Sequence, residues 1–148
     1  MRLPTGCVAL AGEEVILNLV RALVSIRLKT YGCCVGHLDG NRHLHPWVSY
    51  ATSFRTKIIA LERMLELYNK NHLITWGMRY GMLSPYPFVD DRVDIMTNCC
   101  QDNRRQVTEE QLRAYQATVP ALAEFIFMHR GDEGIVDLVL MDIIPSRV

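Results

Sequence analysis

The chain has no excess of charge: sixteen Lys or Arg stand against sixteen Asp or Glu over its 148 residues. That balance argues against a strongly basic nucleic-acid binder and against an acidic-tail protein. Long charge-free apolar runs are also missing. The most apolar stretch, residues 8–28, carries Glu13, Glu14, Arg21 and Arg27, which would be costly near a bilayer interior, so no membrane span is expected. There is no Asn-x-Ser/Thr glycosylation acceptor, no glycine-rich phosphate loop and no paired CxxC unit. The five cysteines, Cys7, Cys33, Cys34, Cys99 and Cys100, are odd in number and include two adjacent pairs. This is a poor disulfide framework and predicts reduced thiols in an intracellular, cytoplasmic compartment. The apolar stretch from Val8 to Ala11 is too short for a secretory leader.

What is present reads as an ordinary globular chain, with 49% hydrophobic and 22% charged residues. The length predicts one domain over residues 1–148. The fold class expected from periodicity is mainly α: a bundle of four to five helices, with at most a short C-terminal strand. Acidic Glu13-Glu14 opens an apolar run reaching Lys29, which predicts a helix buried on most sides. Phe54, Ile58, Leu61, Leu65 and Tyr68 share one helical face, so a helix is expected over about 47–69, with Glu66 and Lys70 paired one turn apart and Asn69 or Asn71 as stop residues. Thr108 and Gln111 match a capping box that starts a third helix, and Pro120 predicts a kink or a division of it. A short helix from Asp90 or Asp91 to Cys100 is also predicted. Thr30 to Pro46 and His72 to Val89, each rich in helix breakers, are expected to be irregular. Residues 134–144 are ambiguous, with β-branched content favouring a strand. The predicted core is Leu17, Val20, Leu23, Val24, Phe54, Ile58, Leu61, Leu65, Leu112, Tyr115, Leu122, Phe125 and Ile126.

The neutral total hides an asymmetry. Residues 1–80 hold ten Lys or Arg and five Asp or Glu, and the remainder reverses the balance. Complementary faces of this kind suit a protein partner or a homo-oligomer. The segment from Leu73 to Val89 concentrates aromatic and methionine residues, types favoured at interface cores. Trp76, Met78, Tyr80, Met82, Tyr86 and Phe88 are therefore the candidate contact residues of a non-enzymatic interaction or assembly subunit.

Two other chemistries compete. Arg27, Lys29, Arg42, Arg55, Lys57 and Arg63, with Tyr31, Trp47 and Tyr50 for stacking, would suit single-stranded RNA or DNA if they shared a face. Cys33, Cys34, His37, His43 and His45 form the densest donor cluster. They offer the residue types of a zinc site without its diagnostic spacing. Cys99 or Cys100 with His43 or His45 offers a thiol nucleophile and base, so a small zinc- or thiol-dependent enzyme is the third reading. No family resemblance covers enough of the chain to name.

Overall fold

The computed structural model describes residues 7–9, 13–39, 42–79, 81–86 and 108–141. In chain order the elements are β1 (Cys7–Ala9), α1 (Glu13–Ser25), β2 (Thr30–Cys34), β3 (His37–Asp39), β4 (Arg42–Leu44), β5 (Trp47–Tyr50), α2 (Arg55–Lys70), β6 (Thr75–Arg79), β7 (Met82–Tyr86), α3 (Glu109–His129) and α4 (Val136–Leu140). The architecture is therefore mixed α/β. Four strands form an antiparallel sheet in the order β2-β5-β7-β6, and β1-β3-β4 make a second, three-stranded sheet. This overturns the expectation of a mainly helical bundle, and each of the two segments expected to be irregular supplies strands. The 134–144 expectation changes as well, since its described part forms the short helix α4.

The strands follow from local chemistry. Trp47-Val48-Ser49-Tyr50 alternates half-buried and buried positions, the period of a strand with one covered face, so the helix expected from about residue 47 begins only at Arg55. The register sets Val48 against Leu83 and Met78 against Leu83. Directly opposed residues share a face, so Val48, Tyr50, Leu83, Met78 and Trp76 lie on one side of the sheet. The buried core gathers on that side, with Ile16, Leu19, Leu23 and Ile26 of α1, Leu61, Met64, Leu65 and Tyr68 of α2, and Val119, Leu122 and Ile126 of α3. The hairpin β6–β7 turns through Gly81, whose φ is +75° and where a Cβ would approach the Tyr50 carbonyl oxygen at 3.3 Å. That carbonyl's own N–H donates to Gly81 O at 2.8 Å. A side chain here would be strained by backbone angle and by proximity together.

Pro85 sits inside β7, and β7 is a central strand. It is tolerated because Pro85 lies opposite Trp76, a position whose backbone groups turn away from β7. On the other side, the β5–β7 pairs are Ser49–Met82 and Val48–Leu83, so Pro85 lies past the end of that ladder.

The helices need three corrections. α1 has one buried stripe rather than burial on most sides, and Val24 is 55% exposed. It ends at Ser25, with Arg27 in the left-handed region at φ 63° and Leu28 N–H donating to Leu23 O at 3.1 Å. This is a Schellman-type closure in a position that glycine usually fills. α3 is continuous through Pro120. The proline is exposed, and apolar packing on both sides of it, at Val119 and Leu122, holds the helix together. The capping box is formed as the sequence predicts: Gln111 N–H donates to Thr108 Oγ1 at 3.1 Å and Thr108 N–H donates to Gln111 Oε1 at 2.9 Å. The expected helix from Asp90 or Asp91 to Cys100 lies outside the described residues. No described helix is long and apolar enough to cross a membrane.

Candidate functional site

The strand β6 is an edge of the four-stranded sheet, and α2 runs beside that edge. Beside their shared apolar core, one polar side chain ties the two together. Asn69 Nδ2 donates to Trp76 O at 2.9 Å, and Trp76 N–H donates to Asn69 Oδ1 at 2.9 Å. The asparagine amide thus takes the place of a neighbouring strand at one residue. Asn69 is not a helix stop: α2 continues to Lys70, with Asn71 as its cap.

This pairing fixes the direction of every backbone group in β6. Antiparallel pairs alternate between hydrogen-bonded and non-bonded. Trp76 points its N–H and C=O outward, so Thr75, Gly77 and Arg79 face β7, and Met78 faces outward again. The Tyr50–Gly81 bond supports this assignment, because it places Leu83 in bonding register with Val48 on the far side of β7. The Met78 N–H and C=O therefore lie on the free edge, with no partner among the described residues.

Between α2 and this edge runs a groove of about 220 Å³, lined by Glu62, Leu65, Glu66, Asn69, Trp76, Gly77 and Met78. Leu65 is buried beneath it, while Glu62 and Glu66 are exposed one helical turn apart. Neither carboxylate makes an ion pair among the described residues, and the expected Glu66–Lys70 pair is not formed.

The Glu62 charge is felt in the core. Tyr50 is pushed up to about 12 from an ordinary 10.0, first by burial and then by repulsion from Glu62. A phenol whose pKa is raised by folding favours the native state fully below the unfolded pKa. That contribution fades as pH rises from about 10 to about 12, because only the unfolded chain ionises there. Tyrosinate absorbance should accordingly show a group that titrates near 12 in the folded protein and near 10 in urea. Glu62→Gln should lower the folded value without abolishing the shift. A Tyr50 that ionises at 10 while the protein is folded would contradict this placement.

The residues proposed from sequence divide sharply. Trp76 is 1% exposed and its indole N–H donates to Thr118 Oγ1 of α3 at 2.8 Å. Met82 is also buried, and Met78 is half-buried. The side chain of Trp76 is thus a core anchor, and what it offers the groove is its backbone. Tyr80, Phe88 and the side chain of Tyr86 lie outside the described residues.

The proposed basic face loses a member. Lys57 is 5% exposed, and its ammonium donates to the carbonyls of Leu138 at 3.2 Å and Val139 at 2.9 Å and to that of Met141. It caps the C-terminal end of α4 and is not available to phosphates. Arg63, exposed, donates to Gly134 O at 3.4 Å. Arg27, Lys29 and Arg55 are exposed, and the Lys29 ammonium lies 5.4 Å over the Tyr31 ring; the Arg42 side chain lies outside the described residues.

Of the donor cluster, Cys33 is half-buried opposite Val48 and Cys34 is buried opposite Trp47, neither in a disulfide among the described residues, and Cys34 Sγ accepts from Gly36 N–H at 3.4 Å. Burial pushes the Cys33 thiol up, away from the thiolate that metal binding and nucleophilic attack require. His45 is buried just before β5. The register sets His37 against Leu44 and His43 against Leu38; their side chains lie outside the described residues. Among the described residues no three His, Cys, Asp or Glu groups converge as metal ligands. Cys99 and Cys100 lie outside them.

Sequence reasoning missed the groove because its makers looked structural or generic: a helix-end asparagine, two surface glutamates and a glycine. The available signal was Arg79-Tyr80-Gly81-Met82, a glycine-bearing turn between two alternating segments, which marks a hairpin and therefore an edge. Compared with protein-family models, curated proteins and solved structures, the chain finds no match.

Proposed function

We propose that this protein is a non-enzymatic binding or assembly module that engages another polypeptide along the α2–β6 groove. The observation that carries this reading is an edge strand whose outward backbone at Met78 has no partner among the described residues, beside two carboxylates that make no ion pair among them. Strand edges with unmatched N–H and C=O groups are templates for a further chain. Natural sheets commonly blunt such edges, and here Asn69 blunts it at Trp76 alone. The adjacent cysteines Cys33 and Cys34, neither in a disulfide among the described residues, support a reducing, intracellular setting for this activity.

The test is hydrogen exchange on the native protein, with its copurifying molecules and after their removal, combined with light scattering across protein concentration. The expected result is a complex, with another copy or with a distinct protein, in which exchange at Met78 slows. A strict monomer that retains no partner, or a complex that leaves Met78 exchange unchanged, would contradict the reading. So would retention on single-stranded RNA that falls steeply with salt and persists when Glu62 and Glu66 are replaced.

A further inference from the structure

We infer that the occupant of the groove is an extended segment of a partner protein bearing Lys or Arg at alternate positions, added to β6 as the next strand of the sheet. This rests on reading the groove as a contact site and specifies what fills it.

Backbone, spacing and charge converge on this occupant. Met78 offers one N–H and one C=O to an incoming strand, and the Asn69 amide closes the edge at Trp76, so the added strand is bounded at that end. Glu62 and Glu66 are separated by four helical residues, a rise of about 6 Å along α2. Same-face side chains of an extended chain recur every ~6.8 Å. Basic residues at alternate positions therefore meet both carboxylates in one register. Among the described residues no basic side chain lines the groove to compete for them.

The same charges argue against other occupants. If two copies paired edge to edge through β6, the two-fold axis would bring Glu62 and Glu66 of both copies to the same seam, and like charges there oppose association. A nucleic-acid backbone would meet the same repulsion. The groove thus selects for a cationic, extended polypeptide and against its own copy.

The probe is a fluorescein-labelled peptide alternating arginine and valine, titrated with the full chain at low ionic strength and read by anisotropy. Binding is expected, with a loss of about tenfold or more for Glu62→Lys combined with Glu66→Lys. A similar loss is expected when alternate peptide nitrogens are methylated, which keeps the charge but removes strand pairing. Both glutamates are exposed, so the double variant should melt with the parent; Glu62→Gln with Glu66→Gln gives a milder version of the same result if it does not. The inference is overturned by no binding, by equal binding of the methylated peptide, or by indifference to both glutamate variants. Should Met78 exchange still slow in a native complex while this peptide fails, the contact reading survives and the cationic occupant falls.

Discussion

Replacing Trp76 with alanine should destabilise the protein by about 4 kcal/mol, a loss typical of removing a large buried aromatic. Three contributions add. The indole is 1% exposed within the core, so its deletion leaves a cavity between β6 and α3. Its N–H bond to Thr118 disappears, leaving the Thr118 hydroxyl to donate to Tyr115 O at 2.6 Å without the cross-element partner. The α3 register then rests on its apolar contacts and on the buried Gln116 amide, which donates to Val35 O at 3.0 Å and Gly36 O at 3.1 Å. Trp76→Phe should cost less, about 1–2 kcal/mol, because it keeps most of the volume and loses the hydrogen bond. Urea denaturation followed by far-ultraviolet dichroism measures both. Near-neutral Trp76→Ala would show the indole to be a surface contact, as the sequence alone suggests.

The second large effect lies at Lys57. Lys57→Met keeps the stem length and apolar packing but removes the ammonium that holds the carbonyls of Leu138, Val139 and Met141. Two terms oppose each other. Burying an ammonium is costly, and an apolar replacement relieves that cost. Against this, hydrogen bonds to a charged group contribute about 1.5–3 kcal/mol each, and the last carbonyls of α4 lose both their donor and a favourable cation at the negative helix end. With several carbonyls on one ammonium the second term should win, giving a loss of about 2–3 kcal/mol. Protease sensitivity should rise within residues 136–141. A variant as stable as the parent, with α4 still protected, would mean that desolvation cancels the bonds.

Residues with local physics were legible in the sequence. Thr108 and Gln111 satisfy one another within a single turn, so their pattern needs no tertiary information. The α2 stripe through Leu61, Leu65 and Tyr68 reads directly as a buried face. Partnership across the chain was not legible. Gly32 and Cys33 look like loop residues until β5 lies beside them, where Ser49 and Trp47 occupy the space over Gly32. Pro85 looks like a strand breaker until Trp76 proves to turn its backbone groups toward Asn69 and the β5 pairs prove to stop at Leu83. Lys57 looks like any exposed helix cation, because nothing nearby in sequence predicts a helix end about eighty residues later to bury it. The candidate site was hidden for a further reason. Its strongest feature, the outward backbone of Met78, has no side-chain signature at all, while Trp76, the advertised aromatic whose side chain is described, is spent on the core.

Amide spectra of the full chain recorded while the alternating arginine–valine peptide is added provide the most direct test of the central claim. The account predicts shifts confined to Glu62, Leu65, Glu66, Asn69, Gly77 and Met78, with the Met78 amide moving as expected for a newly formed hydrogen bond. Shifts gathered at Arg27, Lys29 and Tyr31 instead, or no shifts at any concentration, would contradict it.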